Sequence, residues 1–139
     1  MAGLTDLKTI LRELEPELQL GQFVFAGLRA GGQADLGALA PVGIFREPEG
    51  ATFIVRREVA EKYGLVYDQP LRWIVLRVHS SLAAVGLTAA VATRLAGEGI
   101  AANIVAGRLH DHLFVPAGDA ERALAALRAL QQESAGGNR

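Results

Sequence analysis

Three neighbouring residues, His110, Asp111 and His112, form the densest group of side chains that could carry out chemistry. Imidazole and carboxylate groups ligate zinc or iron, and a histidine can also act as a general acid or base. If the three residues lie in one strand, however, Asp111 points to the opposite side from both histidines. A metal site or a catalytic site would then need His79 as a further group. A metal-dependent or hydrolytic enzyme that uses His79, His110 and His112 is therefore one alternative. The reading that we favour has no metal ligands, no cofactor and no catalytic residues.

A second candidate site is the pair Ser80 and Ser81, which follows an apolar strand pattern and precedes a run of helical spacing. The free N–H groups and the dipole at the N-terminus of a helix favour a carboxylate or a phosphate. One serine can instead cap the helix, and the two roles are compatible. Gly86 has no side chain and allows a ligand to approach the backbone. We therefore predict a ligand-binding site at Ser80, Ser81, Val85, Gly86 and Leu87.

Asn103 is predicted to be a neighbour of this site. It interrupts a stretch of small and apolar residues that reads as a strand, and asparagine is depleted in strands. A buried side-chain amide needs hydrogen-bond partners. Either a bound ligand or a neighbouring loop could supply them.

The elements that must position these residues begin with a strand. Residues 71–78 are rich in β-branched and aromatic side chains, and alternate positions share a face. Apolar residues recur at helical spacing over 82–95. Short apolar runs at 100–106 and 112–115 predict two further strands, and a last helix is expected over 119–131. The strand–helix–strand order predicts a right-handed crossover between parallel strands.

The first strand of this segment has two apolar faces. One face is expected to lie in the core, while Trp73 and Val75 lie on the other. The helix of the first half of the chain or a second chain could cover that other face. Because two-fold pairing is the commonest oligomer, we predict a homodimer. The predicted core consists of Ile74, Leu76, Val78, Val85, Ala92, Leu95, Ile104, Phe114, Leu124 and Leu127.

The first half of the chain shows a similar order of elements. A first helix is predicted over 7–14, where leucine and isoleucine form one apolar stripe. A strand at 22–28 and a hairpin over 42–55 follow, with a single helical turn at 35–40 between them. A short helix is predicted at 57–63.

These two halves align as a repeat. Residues 51–55 match residues 111–115, and Val24 in the opening strand of the first half matches Val75 in the second. The segment between the strands is a full helix in the second half and only a short turn in the first. We interpret the chain as two copies of one module, the first with a reduced crossover.

Composition excludes several classes of protein. The chain has 139 residues, of which 50% are apolar, and it carries a net charge of −1. It has no cysteine, which excludes disulfides, thiolate zinc sites and cysteine nucleophiles. The absence of a basic block argues against nucleic acid, and no apolar stretch is long enough for a membrane span. Because no signal-peptide pattern is present, a cytoplasmic protein is expected.

Residues 78–92, 99–105 and 110–116 carry a resemblance to ACT-domain proteins, and most closely to a small bacterial family of two tandem ACT-like modules. The resemblance implies an α/β (α+β) fold of tandem ferredoxin-like βαββαβ modules, with antiparallel sheets and helices on one face. The expected organisation is an N-terminal helix with a first, degenerate module at 1–67, a second module at 68–133 and a disordered tail at 134–139.

The resemblance also implies a function. ACT modules commonly bind small effectors such as amino acids where the first strand turns into the first helix, and Gly86 lies near the matching place. Such modules often carry an acidic residue and a proline before this glycine, whereas this chain has His79, Ser80, Ser81 and Val85. We expect a non-catalytic, regulatory, effector-binding protein. A structural interaction module remains a second alternative.

Overall fold

The chain contains two compact units. The computed structural model describes residues 3–136. One unit is Gly21–Leu71, and the other combines residues 3–20 with residues 72–136. The first helix, which the sequence assigned to the module at 1–67, therefore groups with the second half of the chain.

The described residues contain eight strands and five α-helices. The strands are β1 (Pro16–Leu18), β2 (Phe23–Gly27), β3 (Gly43–Glu47), β4 (Gly50–Arg56), β5 (Val66–Tyr67), β6 (Leu71–Leu76), β7 (Asn103–Ala106) and β8 (Asp111–Pro116). The helices are α1 (Leu7–Arg12), α2 (Leu36–Leu39), α3 (Arg57–Lys62), α4 (Leu87–Gly97) and α5 (Ala120–Gly136). A 3₁₀ turn at Ala117–Asp119 leads into α5.

The unit Gly21–Leu71 is a complete βαββαβ module. Its strands lie in the order β5-β2-β4-β3, and each neighbouring pair is antiparallel. Helix α2 has a single turn, capped by the side chain of Asp35. The core of the unit is formed by Val24, Ala26, Leu39, Phe53, Val55, Ala60 and Leu65.

The other unit has the same strand order but takes one strand from the N-terminal end of the chain. Its strands lie in the order β1-β6-β8-β7. Strand β1 pairs antiparallel with β6, opposite Leu76, Val75 and Ile74. It occupies the edge position that β5 occupies in the first unit. Both units are ferredoxin-like, so the predicted fold class is confirmed.

The core of this unit lies between one face of the sheet and three helices. Alternate residues of β6 and β8 point into it, including Ile74, Leu76 and Leu113. Helices α1, α4 and α5 contribute Ile10, Leu95, Leu127 and neighbouring apolar residues. Strand β8 lies between β6 and β7, so the two strands that α4 connects are not direct neighbours.

Most of the predicted core residues are buried. Ile74, Leu76, Val78, Leu95, Phe114, Leu124 and Leu127 are all buried, and Ala92 and Ile104 are half-buried. The prediction that Val85 lies in the core is wrong, because 85% of its surface is exposed. It lies in the loop before α4, which starts at Leu87 rather than at the predicted position 82.

The alignment of the repeat needs a shift of one residue in its opening strands. Val24 packs in the core beside the helices of its unit, whereas Val75 points away from the corresponding core, which contains Ile74 and Leu76. Because side chains alternate along a strand, pairing Val24 with Val75 superposes opposite faces. The alignment of residues 51–55 with residues 111–115, the hairpin alignment, keeps the faces matched. Phe53 and Leu113, which it pairs, each lie in the core of their own unit.

The last helix is longer than predicted. Helix α5 continues to Gly136 instead of ending near Gln131, so residues 134–136 of the expected disordered tail are helical. The remaining tail residues, 137–139, lie outside the described residues. Within residues 3–136, no helix has the length and apolar character needed to cross a membrane.

Candidate functional site

The loop between β6 and α4 forms one wall of the candidate site. Gly86 is the N-cap of α4 and has φ of 105°, in the left-handed region that glycine tolerates. Its carbonyl oxygen accepts a hydrogen bond from the N–H of Ala90, which closes the first turn of the helix. The helix therefore begins several residues after the two serines.

Ser81 forms a local turn and does not cap α4, which was one of the two roles that the sequence suggested for the serines. Its hydroxyl oxygen accepts a hydrogen bond from the N–H of Ala83 at 3.1 Å. Its carbonyl oxygen accepts another from the N–H of Ala84 at 3.0 Å. Such local bonds offer the backbone an alternative to a helix, which explains why the helical spacing over 82–86 does not produce one.

A cavity of about 180 Å³ opens between this loop, the first turn of α4 and the β7–β8 hairpin. Four of the predicted site residues line it, namely Ser80, Ser81, Gly86 and Leu87. The other two do not. Val85 points to solvent, and Asn103 is exposed at the end of β7 that is distant from the cavity, whereas Ala106 at the other end lines it.

Asp111 lines the cavity as well, although the sequence suggested a role for it only together with His110 and His112. It is the first residue of β8 and is only 5% exposed. The hydroxyl of Ser80 donates a hydrogen bond to its Oδ2 at 3.4 Å. Burial raises the pKa of this carboxyl, and the bond from Ser80 opposes the shift. The alternation of β8 already predicted that Asp111 faces away from His112, and that face is the helix side.

Two walls of the cavity therefore favour ligand groups of opposite charge. Asp111 supplies a buried carboxylate at one wall. At another wall lie Leu87, Thr88 and Ala89, the first turn of an eleven-residue helix, where backbone N–H groups and the helix dipole favour negative charge. A small molecule with a cationic group and an anionic group matches both walls.

The histidines do not converge on this cavity. The indole N–H of Trp73 donates a hydrogen bond to Nδ1 of His112 at 3.2 Å, on the sheet face away from α4 and α5. Burial lowers the pKa of His112. His79 lines a separate open groove with Leu4 and Gln131. Within residues 3–136, no three His, Cys, Asp or Glu side chains are grouped so that they could hold a metal ion.

Family comparisons agree with this architecture. Two sequence models of the ACT domain match the chain in tandem, one over residues 2–72 and the other over residues 69–129. The first alone covers half of the chain. The chain belongs to the ACT-domain family. A search of curated proteins found no match.

Solved structures of other proteins have a similar fold. A protein of unknown function from Vibrio cholerae, described as a possible transport protein, is 43% identical, with a TM-score of 0.79 over 90% of this chain and 95% of that one. A protein from Agrobacterium tumefaciens is 21% identical, with a TM-score of 0.65 over 84% and 87%. The ligand-free regulatory subunit of aspartate kinase from Thermus thermophilus is 14% identical, with a TM-score of 0.57 over 83% and 95%. The last two similarities establish the fold alone.

The two ACT units differ at the positions that form the cavity. In the unit Gly21–Leu71, the matching helix α2 has four residues, whereas α4 has eleven. The hairpin alignment places Ala51 where the other unit has Asp111. The first unit therefore lacks the buried carboxylate and the long helix that define the cavity in the second.

Proposed function

We propose that this ACT protein is a non-catalytic regulator that binds a small effector in the cavity beside Asp111. The observation that carries the proposal is that the buried side chain of Asp111 and the first turn of α4 line the same small cavity. A carboxylate that is only 5% exposed and has one hydrogen bond of 3.4 Å is poorly compensated without a further donor. An ammonium group would supply that donor.

An α-amino acid is the effector that we favour. Its ammonium group can pair with Asp111, and its carboxylate can accept hydrogen bonds from the N–H groups at the start of α4. ACT modules often place an acidic residue in the turn before the glycine, and this chain has His79, Ser80 and Ser81 there. In this protein Asp111 would supply the acidic group from the neighbouring strand.

We propose that the regulation acts on a separate protein or through a change of oligomeric state. We propose a homodimer as the working form. Strand β3 is at the edge of its unit and carries two exposed apolar side chains, Ile44 and Phe45. An apolar edge strand is a ready site for pairing with a second copy. A light-scattering measurement that gives the monomer mass at micromolar concentration would exclude the dimer.

The binding proposal is tested by thermal shift with three groups of compounds: the standard amino acids, divalent metal ions and nucleotides. A ligand that binds the native state raises the unfolding midpoint. We expect an amino acid to raise it, and we expect analogues of that amino acid lacking either the amino or the carboxyl group to be inactive. A shift produced by metals instead would favour the enzyme alternative, and no shift from any group would favour the interaction module.

The position of the site is tested with Asp111→Asn. Loss of a charge-assisted hydrogen bond should weaken amino-acid binding by roughly tenfold to a hundredfold. Glu121→Gln makes the same change of charge at an exposed position of α5 and should leave the affinity unchanged. Equal affinities of the Asp111→Asn variant and the wild type would place the effector elsewhere.

A further inference from the structure

The N-terminal segment Gly3–Leu7, which we call the strap, is bound to the loop that forms the cavity. The N–H of Leu4 donates a hydrogen bond to the carbonyl oxygen of His79 at 2.9 Å. The N–H of Ser81 donates one to the carbonyl oxygen of Leu4 at 2.8 Å. These bonds form a single parallel bridge between Leu4 and Ser80. The strap thus fixes the two serines from outside the cavity.

Gly3, the first residue of the strap, lies so close to the loop that there is no room for a side chain on it. A Cβ atom added to Gly3 would lie 2.5 Å from the carbonyl carbon of Ser80 and 2.6 Å from the nitrogen of Ser81. Both are backbone atoms, so a side chain at this position must move the strap and the loop apart. At the other end of the strap, the side chain of Leu7 lies 3.0 Å from the Cβ position of Gly86.

The strap is continuous with a well-anchored helix. Asp6 caps α1 by accepting a hydrogen bond from the N–H of Thr9 at 3.1 Å. Ile10 in α1 is fully buried in the core of the unit. By contrast, 37% of Leu4 is exposed, so the start of the strap at Gly3 and Leu4 is held mainly by the two backbone bonds of Leu4 to the loop. Segments with few buried contacts are the ones that open locally.

We propose that the strap belongs to the effector site: Gly3 and Leu4 are positioning residues that hold Ser80 and Ser81 in their cavity-lining positions. This inference rests on the proposed function. Since binding coupling is reciprocal, a strap that strengthens effector binding is itself held more tightly when the effector is bound. The strap then provides a route by which occupancy of the cavity is sensed at the N-terminal end of the chain.

The first test needs no effector. Hydrogen exchange is measured residue by residue by NMR for the wild type, Gly3→Ala and Gly118→Ala. Gly118 is the matched control, because its added Cβ would have no atom within 4 Å. We expect Gly3→Ala to speed exchange of the Ser81 amide roughly tenfold, as the loss of a backbone hydrogen bond predicts. Unchanged exchange would overturn the proposal. If Gly3→Ala does not fold, deletion of residues 1–4, which keeps the Asp6 cap, replaces it.

The second test uses the standard amino acids, each titrated by calorimetry into the wild type, Gly3→Ala and Gly118→Ala. We expect binding to the wild type and Gly118→Ala with equal affinity, and about tenfold weaker binding to Gly3→Ala. Faster loop exchange with unchanged affinity would overturn the role of the strap but leave the proposed function intact. Binding of no amino acid to the wild type would overturn the proposed function, and the strap would then be only a brace of the loop.

Discussion

Trp73 and His112 are linked across the neighbouring strands β6 and β8 by a hydrogen bond from the indole N–H to Nδ1 of the imidazole, 3.2 Å long. The indole can only donate, so this bond requires Nδ1 of His112 to be unprotonated. The rings of Trp73 and Phe114 stack beside the pair, with centroids 6.0 Å apart. His112 is therefore held as a neutral imidazole in a partly buried aromatic cluster.

We predict that this pair makes stability depend on pH. Burial lowers the pKa of His112 in the folded state below its ordinary value of 6.5, so the unfolded chain binds more protons below that pH. The free energy of unfolding should fall as the pH decreases through this value, and it should be fully regained above it. Urea denaturation over a pH series measures the effect. The His112→Gln variant should show a weaker dependence between neutral and mildly acidic pH; an unchanged dependence would assign it to other groups.

Amino-acid affinity should depend on pH through Asp111. Burial raises the pKa of this carboxyl, so it becomes neutral at a higher pH than an exposed aspartate. A protonated carboxyl no longer pairs with an ammonium group, so affinity should fall as the pH decreases, starting above the ordinary aspartate value of 3.8. Calorimetric titrations at several pH values measure this loss. In Asp111→Asn the affinity should be low and nearly independent of pH, and a persisting pH dependence would point to a different carboxylate.

Two leucines should respond very differently to the same substitution. Leu76 is 1% exposed in the core, so Leu76→Ala should lower the free energy of unfolding by about 2–5 kcal/mol. Leu82 is 70% exposed in the loop before α4, so Leu82→Ala should change it by less than about 0.5 kcal/mol. Chemical denaturation compares the two variants. A similar loss in both would mean that the loop is more tightly packed than the structure indicates.

Two glycines at the ends of α4 should respond with opposite sign. Gly86 has φ of 105°, and an added Cβ would meet the Leu7 side chain at 3.0 Å, so Gly86→Ala should cost about 1–3 kcal/mol of stability. Gly97 is helical and has no atom within 4 Å of its Cβ position, so Gly97→Ala should add about 0.4–1 kcal/mol. Thermal unfolding of both variants checks the signs. Equal tolerance at the two positions would contradict the left-handed conformation of Gly86.

Several features of the protein follow from the sequence alone because they depend on residues close together in the chain. The alternation of β6 determines that Ile74 and Leu76 share a face, and the helical spacing of α5 determines that Leu124 and Leu127 do. The residues of loop and hairpin that resemble ACT modules identified the family and the approximate position of the cavity. Ser80, Ser81, Gly86 and Leu87 were predicted from that local pattern.

Only the tertiary structure decides which distant segments line the cavity and complete the sheet. Asp111 joins Ser80 because β8 lies beside β6, and no local preference of Asp111 indicates that neighbour. Likewise β1 fills the edge position beside β6, and Leu4 binds the loop, although both come from the N-terminal end of the chain, more than fifty residues before these partners. Propensity and periodicity act over a few residues, whereas these pairings depend on burial of apolar surface and on backbone hydrogen bonds between segments far apart in sequence.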